Sequence, residues 1–551
     1  MTMTMTMTMT MTMTLFSPWL QRRRARLRAT IRGYALLKRR GNLGLVRRIR
    51  NDLADCRLEI EPGDVAARIF GAASTHAEPA VRQYLLERLL GSAFNRELLY
   101  GLGQGISLSY PLPRKWRSAL VAHGVRVSQP VSAMRWLGYL GKHFTRGLYE
   151  LVYTIAQTII QRRRSASSSP SGQYAYFSDL SASNLPPPGG ADVSYDVCSW
   201  YARWEGRPSA VQGICHDAVA DETSVAGLTV RALPAPYYLL HTPAEIAKLA
   251  LFGTVTIARA VFDLLSGRWW SIVMLAEAIR ATAVRLCPRV RLATEYLFHY
   301  SGTTYRPLWT YEAEAKGSRI ICYFYSTYEQ PRMPGSEYES QRGDWGPATW
   351  PLYLVWDRYQ EEQLQRDIPA GFETLITGPI PFSARGSQVP LLPRKAVAVF
   401  DFEAYRLSSH FPFSTLGEYV ADNPDFSERF LGDIQKVMGE LGVTVAFKKK
   451  RESGKRSRKS YLRLISELSA CSNFLVIPPE VAAIQLIKEC AAVISLPFTS
   501  TALYLREQNI PSVYYDPTGW VQRNDRAAHG IPVLIGIDEL RAWVQTLSTA
   551  D

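Results

Sequence analysis

Three hydroxyl side chains follow an apolar run late in the chain, and their positions suit the binding of an anion. The run at 491–496 predicts a buried strand, residues 497–498 predict a turn, and Thr499, Ser500 and Thr501 stand where the next helix begins. Hydroxyls at a helix start satisfy backbone N–H groups, and the positive end of the helix dipole attracts negative charge. The segment therefore predicts a phosphate site, with an ordinary capped helix as the alternative.

The elements that position these hydroxyls form a regular pattern from residue 393 onward. Apolar strands are predicted at 396–401, 443–447, 473–477, 491–496, 512–515 and 532–535. Amphipathic helices are predicted near 427–441, 459–470, 480–490, 500–508 and 538–548. Continuous apolar strands that alternate with helices predict a doubly wound parallel sheet, in which ligands bind beyond the carboxyl ends of the strands.

Charged and hydroxyl residues follow several of these strand ends. The phosphate-binding candidates at these positions are Lys448, Lys450, Arg451, Glu480, Ser495, Thr499, Ser500 and Thr501. Lysine and arginine would neutralise a phosphate, and a carboxylate would accept hydrogen bonds from ribose or base. A second basic run at 455–459 keeps a solvated loop open as the alternative for the lysines.

Several cofactor motifs are missing from the sequence. The C-terminal pattern contains no GxGxxG or GxxxxGK[ST], and the chain contains no D-x-D triplet. Its seven cysteines lie far apart, and no His/Cys/Asp/Glu cluster has metal-ligand spacing. We therefore expect chemistry that needs neither a bound metal nor a cofactor.

The net charge of the chain is concentrated near its N-terminus. The whole sequence has 64 Lys+Arg and 49 Asp+Glu, a net charge of +15, and twelve of those cations lie in residues 15–50, which contain no acid. Leu20, Leu27, Ile31, Tyr34 and Leu37 recur there at helical spacing. The segment predicts a basic amphipathic helix on an anionic membrane surface. A nucleic-acid arm and a helix docked on its own protein are the alternatives.

Composition shifts divide the chain into four parts. Residues 1–14 are seven Met-Thr pairs and predict disorder; residues 15–170 predict a helical, basic, membrane-facing extension and the start of an N-terminal domain. A Rossmann-like domain is expected at 190–392 and a second one at 393–551. Within 190–392, strands are predicted at 193–200, 319–325, 351–356 and 374–377, and two helices between 245 and 286.

Residues 497–500, Pro-Phe-Thr-Ser, carry a resemblance to a known family. Together with the segments at 307–327, 353–360, 447–451 and 477–480, they resemble the bacterial surface-polysaccharide biosynthesis family named for its PFTS motif. In this chain lysine replaces the proline of the family's FKPKR-type segment.

The resemblance implies an α/β fold of the GT-B type, with two Rossmann-like domains that face a cleft. It implies a glycosyltransferase of capsule or lipopolysaccharide biosynthesis, with a nucleotide-sugar donor on the C-terminal domain and a lipid-linked or glycan acceptor on the N-terminal one. A similarity to sialyltransferase-like and Kdo-transferase-like enzymes implies a CMP-activated acidic sugar. The expected location is cytoplasmic, peripheral to the inner membrane, without a nucleic-acid partner.

Such a transfer needs a general base for the acceptor hydroxyl. Glu312 and Glu314 are the candidates, with a solvated turn as the alternative, and His410 is the candidate partner of the leaving phosphate. A non-catalytic polysaccharide assembly protein, a nucleotide-sugar epimerase on the same fold and a nucleic-acid-binding protein remain the other hypotheses.

Overall fold

The structure is a computed structural model. The residues that it describes are 25, 28–37, 39–40, 43–55, 84–164, 173–186, 195–299, 305–327, 348–368, 371–382, 389–393, 396–404, 426–449, 457–506 and 510–548. Residues 1–14, and with them the predicted Met-Thr disorder, lie outside this set.

The chain divides into two compact units. One contains residues 1–56, 88–139 and 405–418, and the other contains residues 57–87, 140–404 and 419–551. Both β-sheets belong to the second unit. The division into four parts made from composition stays a prediction, although the first sheet already begins at Tyr174.

Most of the described residues before the first strand are helical. They include α1 (28–37), α2 (Leu43–Asp55), α3 (Ser92–Gln104), α4 (Arg114–Ala122) and α5 (Gln129–Arg164).

The apolar side of α1 packs inside the first unit. Tyr34 and Leu37 are buried, and Gly33 lies so close to α3 that a Cβ there would stand 2.4 Å from the carbonyl oxygen of Leu99. These two side chains are therefore not available to a membrane. For this part of residues 15–50, the alternative of a helix docked on its own protein describes the structure.

The first sheet has eight strands, in the order β3-β4-β2-β1-β5-β6-β7-β8. All neighbours run parallel except β3 and β4. The strands are β1 (Tyr174–Ser178), β2 (Gly213–His216), β3 (Thr223–Val225), β4 (Leu228–Ala232), β5 (Glu295–His299), β6 (Arg319–Tyr323), β7 (Leu352–Val355) and β8 (Glu373–Ile376).

The described residues between β1 and β9 include five α-helices. They are α6 (Val197–Arg203), α7 (Pro243–Leu265), α8 (Trp270–Leu286), α9 (Trp309–Ala315) and α10 (Arg358–Asp367). The predicted strand at 193–200 is wrong, because Asp196 accepts a hydrogen bond from the Ser199 N–H and begins a helix there. The predicted helix pair between 245 and 286 is confirmed as α7 and α8.

The second sheet has six parallel strands, in the order β11-β10-β9-β12-β13-β14. The strands are β9 (Val397–Phe400), β10 (Val445–Lys448), β11 (Phe474–Ile477), β12 (Ala492–Ser495), β13 (Ser512–Asp516) and β14 (Val533–Ile535). The helices are α11 (Phe426–Glu440), α12 (Lys459–Leu468), α13 (Ala483–Lys488), α14 (Leu503–Arg506) and α15 (Ile537–Ser548).

Apolar clusters cover both faces of this second sheet. Val399 and Phe447 belong to the cluster that contains α11 side chains, and Ala398 and Phe400 belong to the one that contains α13 side chains. Burial on both faces explains why the strands are continuous apolar runs. The predicted doubly wound parallel sheet is confirmed, and with the first sheet it makes the expected pair of Rossmann-like sheets.

Candidate active site

The strand order of the second sheet fixes where a ligand would bind. β9 and β12 are neighbours at the centre, and the chain leaves β9 towards β10 on one side and returns through β12 towards β13 on the other. The loops that follow these two strands diverge, and the crevice between them is the usual ligand position in doubly wound sheets. Asp401 follows β9 directly, and the Pro-Phe-Thr-Ser segment follows β12.

The Pro-Phe-Thr-Ser segment makes a tight turn at the end of β12. The Leu496 N–H donates to the Phe400 carbonyl at 2.8 Å, which extends the sheet contact by one residue. Phe498 has φ +68°, a left-handed conformation that side-chain-bearing residues seldom adopt. The Thr499 Oγ1 donates to the Leu496 carbonyl at 3.0 Å, so this hydroxyl holds the turn together.

The helix start at this turn differs from the prediction. A 3-10 turn at Ser500–Ala502 precedes α14, and α14 has four residues. Thr499 occupies the cap position of the turn without a side-chain capping hydrogen bond. The described part of α14 ends at Arg506, and the predicted contribution of this helix N-terminus to anion binding stays a prediction.

Two hydroxyls of the predicted set are buried without a partner among the described residues. The Ser495 Oγ lies at the carboxyl end of β12 on a fully buried residue, and the Thr501 Oγ1 lies in the 3-10 turn. A buried hydroxyl without a hydrogen bond is costly, and such groups commonly contact a ligand or water.

Lys448 lies in the same row of the sheet as Ser495. Both residues are in register with Phe400, Lys448 through β10 and Ser495 through β12. Neighbouring strands lie about 4.8 Å apart, so the two Cα atoms are about 10 Å apart at one edge. The Lys448 side chain is buried, and its Nζ donates to the carbonyls of Lys449 at 3.2 Å and Pro479 at 3.3 Å.

Glu480 is half-buried in the turn after β11. It does not stand at a helix start, because α13 begins at Ala483. Lys450, Arg451 and His410 lie outside the described residues, so the roles that we predict for them stay predictions.

Asp401 is a site residue whose burial the sequence does not reveal. Its Oδ2 accepts a hydrogen bond from the Tyr461 hydroxyl at 2.6 Å. Burial raises the pKa of the Asp401 carboxyl to about 7, and this hydrogen bond opposes the shift. A carboxyl group that titrates near neutral pH therefore lies at the switch point of the sheet.

The carboxyl edges of the two sheets meet in the second unit. The Ser500 Oγ accepts a hydrogen bond from the Thr327 N–H at 3.2 Å, and Thr327 follows β6 of the first sheet. The Tyr504 hydroxyl donates to the Ile380 carbonyl at 3.0 Å, after β8. The predicted hydroxyl segment thus faces the carboxyl edge of the first sheet.

A buried histidine–carboxylate contact joins the same two edges. The His529 Nδ1 lies 2.7 and 2.8 Å from the two Asp357 carboxylate oxygens. Asp357 also caps α10 by accepting hydrogen bonds from the Tyr359 and Gln360 N–H groups. His529 is fully buried and has φ +50°.

The switch point of the first sheet lies between β1 and β5. Asp179 follows β1 with φ +61°, and its N–H donates to Asp217 at 2.7 Å. His299 ends β5, and its Nε2 donates to the Asp179 carbonyl at 3.1 Å. Burial lowers the pKa of the His299 imidazole below its ordinary value. The apolar pattern of the sequence does not predict β5, and His299 is therefore not among the predicted site residues.

The two predicted base candidates have other partners. Glu312 accepts hydrogen bonds from Arg285 at 2.6 and 3.1 Å, and Glu314 forms an ion pair with Arg306. Both carboxylates lie on α9, which precedes β6 and therefore lies towards its amino end. These contacts favour a structural role for Glu312 and Glu314.

Across the residues that the structure describes, His, Cys, Asp and Glu side chains form no group of three or more that could hold a metal ion. No helix in the described part of the chain has the length and apolar character needed to cross a membrane.

The solved structures that match this chain have low sequence identity to it and low TM-scores. A structure titled as trehalose-6-phosphate from E. coli bound with UDP-2-fluoro glucose has 10% identity and a TM-score of 0.35, and covers 68% of this chain and 92% of its own. An α,α-trehalose-phosphate synthase (UDP-forming) from Burkholderia xenovorans has 10% identity and a TM-score of 0.33, covering 69% and 93%. The spinosyn forosaminyltransferase SpnP has 12% identity and a TM-score of 0.29, covering 68% and 90%. Similarity at this level supports no inference about activity.

Comparison with protein-family models assigns the chain to a family. No curated protein matches the sequence. The family model for polysaccharide biosynthesis PFTS motif proteins matches residues 253–544, which include strands β5 to β8 of the first sheet and all of the second sheet. The observed sheets have the GT-B arrangement of two Rossmann-like folds with facing carboxyl edges. The chain belongs to the polysaccharide biosynthesis PFTS motif family.

Proposed function

We propose that the protein is a glycosyltransferase that moves a sugar from a nucleotide-sugar donor onto a growing surface polysaccharide. The observation that carries the proposal is the Pro-Phe-Thr-Ser segment, which ends the central strand of the second sheet and contacts the edge of the first through Ser500 and Thr327. A donor at the second sheet would there meet an acceptor at the first, as the reaction requires.

The donor phosphate would lie among the hydroxyls after β12 and the ammonium of Lys448. Ser495 and Thr501 have buried oxygens that a phosphate can engage, and Lys448 supplies positive charge in the same row. As the sugar leaves, negative charge grows on the phosphate, and these groups stabilise it. Lys450 and Arg451, which follow in sequence, add to this charge in the proposal.

The acceptor hydroxyl gives up a proton as the glycosidic bond forms. His299 replaces Glu312 and Glu314 as the proposed base, because it ends β5 at the switch point of the first sheet. With Nε2 donating to Asp179, the neutral ring keeps Nδ1 as its basic atom. A lowered pKa keeps the ring neutral at pH 7, the form that accepts a proton.

We extend the proposal to the donor and the setting. A single phosphate suits one hydroxyl cluster with a few cations, which favours a CMP-activated acidic sugar. The polysaccharide would be a capsule or lipopolysaccharide. Its lipid-linked or glycan acceptor would be met at the cytoplasmic face of the inner membrane.

A ligand screen identifies the donor class. A nucleotide that binds only the native state raises the melting temperature, so CMP, UDP, GDP and dTDP are compared at equal concentration. We expect CMP to give the largest shift. No shift with any nucleotide would favour the non-catalytic assembly protein, and isomerisation of a nucleotide sugar without acceptor would favour the epimerase.

A double variant tests the hydroxyls directly. Ser500→Ala with Thr501→Ala should lower turnover at least tenfold while circular dichroism shows an intact fold. Ser469→Ala with Thr546→Ala, two exposed hydroxyls elsewhere in the second sheet's helices, is the matched control. Unchanged turnover in the folded double variant would remove these hydroxyls from the mechanism.

A further inference from the structure

Two neighbouring helices expose an unusual number of apolar side chains. Among the described residues, 23 large apolar side chains are exposed, and thirteen of them lie on α7 or on the part of α5 after residue 147. Monomeric soluble proteins seldom leave a continuous apolar patch of this kind open to water. We call this surface the α5–α7 face.

The apolar stripe on α7 runs along one side of the helix. Leu251, Val255, Phe262 and Leu265 are exposed and spaced by three, four or seven residues, so they lie on one line. The buried residues Leu249, Gly253, Ala260 and Asp263 lie on the opposite side. One side of α7 therefore belongs to the protein core, and the other carries apolar side chains to the surface.

The same division holds for the second half of α5. Tyr149, Val152, Tyr153 and Ile160 are exposed, whereas His143, Glu150, Thr154 and Thr158 on the other side are buried.

Close packing places the two stripes on one surface. A Cβ at Gly253 of α7 would stand 2.4 Å from Leu151 of α5, and a Cβ at Gly147 of α5 would stand 2.4 Å from Leu275 of α8. Helix α8 is buried on nearly all sides and lies beneath both neighbours. The sides of α5 and α7 that turn away from α8 therefore form one face.

The exposed charged side chains described on these two helices all carry the same sign. Their exposed charged residues include Lys142, Arg162, Lys248 and Arg259, which are all cationic.

The acidic side chains of the same two helices form hydrogen bonds or ion pairs with other residues of the protein. Glu150 is buried and accepts two hydrogen bonds from Arg280, and Asp263 is buried and accepts one from Ser271. Glu245 is the capping-box acid of α7 and pairs with Arg291. The face thus presents apolar and cationic side chains together.

We propose that the α5–α7 face docks the protein on an anionic lipid bilayer, with both helices lying in the plane of the interface. Apolar side chains enter the boundary of the acyl chains, tyrosines sit at the headgroup level, and the flanking cations meet anionic headgroups. The proposal deepens the membrane association in the proposed function and rests on it. It assigns that association to α5 and α7, since part of the apolar side of α1 is buried within its own unit.

Vesicle sedimentation of the full chain tests the proposal. Vesicles of phosphatidylcholine with phosphatidylglycerol should bind the wild type, and Leu251→Gln with Phe262→Gln should weaken binding at least tenfold. Val219→Gln with Leu391→Gln changes two apolar residues elsewhere that are even more exposed, and it should leave binding unchanged. Lys248→Gln with Arg259→Gln should reduce binding to these vesicles severalfold by removing the preference for the anionic lipid.

Three results would overturn the proposal. The first is wild-type binding by the Leu251/Phe262 variant. The second is complete loss of vesicle binding when Arg22, Arg23 and Arg24 are changed to Gln and the α5–α7 face is left intact. That result would assign the anchor to the N-terminal segment. The third is a wild-type dimer in sedimentation velocity that becomes a monomer in the Leu251/Phe262 variant, which would assign the face to a second copy.

The nucleotide-induced rise in melting temperature keeps the two proposals apart. It should be the same in the wild type and in the Leu251/Phe262 variant, because the substitutions lie on the surface of α7. If the Leu251/Phe262 variant loses vesicle binding but keeps the nucleotide-induced rise in melting temperature, the substitutions have changed only the docking face. If neither protein shows that rise, the result contradicts the proposed function and not the docking face.

Discussion

The imidazole of His299 gives the proposed reaction its dependence on pH. Because burial lowers the pKa of this group, the ring stays neutral until the pH falls below its ordinary value of 6.5. We expect kcat/KM to fall on the acid side with a midpoint below pH 6.5. His299→Gln should lower kcat/KM at least tenfold and abolish this acid limb. An acid limb that survives in the variant would assign the base to another residue.

The carboxyl of Asp401 should make the stability of the fold depend on pH. Its pKa is about 7 in the folded protein against 3.8 as the ordinary value. Between these values the unfolded chain releases the proton and the folded protein retains it, so the free energy of unfolding falls as the pH rises. The full effect is about 4 kcal/mol at 1.36 kcal/mol per pKa unit.

Asp401→Asn keeps an acceptor for the Tyr461 hydroxyl and removes the charge. Urea unfolding at pH 4, 5.5 and 7 should show the variant gaining stability relative to the wild type as the pH rises. Asp538→Asn, at an exposed carboxylate of α15, is the control and should show little change. A constant difference between Asp401→Asn and the wild type would mean that Asp401 titrates normally.

Strand ends are the part of the site that the sequence predicts. Ser495 and Lys448 stand where the expected strands end, and the sheet places them in one row. The hydrogen-bond partner of the buried Asp401 is Tyr461, sixty residues away in the sequence, and a local sequence pattern does not identify such a partner. For the same reason, the arginine partners of Glu312 and Glu314 emerge only from the fold.

At the level of elements, we expect the left-handed turn at Phe498 to strain the backbone, and substitutions at this position can measure that strain. Phe498 packs against the core cluster of the second sheet with φ +68°. Alanine and glycine remove the same packing, but glycine alone tolerates this backbone without strain. Phe498→Gly should therefore be more stable than Phe498→Ala by about 1 kcal/mol.

Phe402 supplies the matched control for this comparison. It is also partly buried against the same cluster and is not among the described residues with positive φ. There the order should reverse, because glycine costs backbone entropy without relieving strain. Equal stability of the two Phe498 variants in urea would show that the turn carries no strain.

Periodicity predicts the strands of the second sheet within two residues, and it fails in the first sheet at 193–200. In the second sheet each strand is a short apolar run buried on both faces and bounded by turn residues. At 193–200 the apolar residues suit either structure, and the cap at Asp196 decides for a helix. A capping aspartate ahead of the apolar residues was the available signal.

For the whole molecule, contacts between distant parts of the chain position the two sheets. Asp357 and His529 are 172 residues apart, and Thr327 and Ser500 are 173 residues apart. The periodicity of a sequence does not predict contacts between residues that are so far apart in the chain. The expected facing of the two Rossmann-like sheets came from the family resemblance, and these contacts supply its physical basis.

The Asp357–His529 contact should couple the two sheets energetically. Asp357→Asn retains a cap for α10, and His529→Asn retains a residue type that tolerates φ +50°. A double-mutant cycle in urea should give a coupling free energy of about 1–3 kcal/mol. Coupling indistinguishable from zero would mean that this contact does not hold the edges together.

The binding of the donor phosphate at the edge of the second sheet is tested most directly by calorimetric titration of CMP into Lys448→Met. This substitution keeps much of the buried stem and removes the positive charge from the row of the sheet that contains Ser495. We expect a Kd at least tenfold weaker than that of the wild type, and an unchanged Kd for Lys436→Met, at an exposed lysine of α11. Wild-type affinity in a folded Lys448→Met would contradict the account.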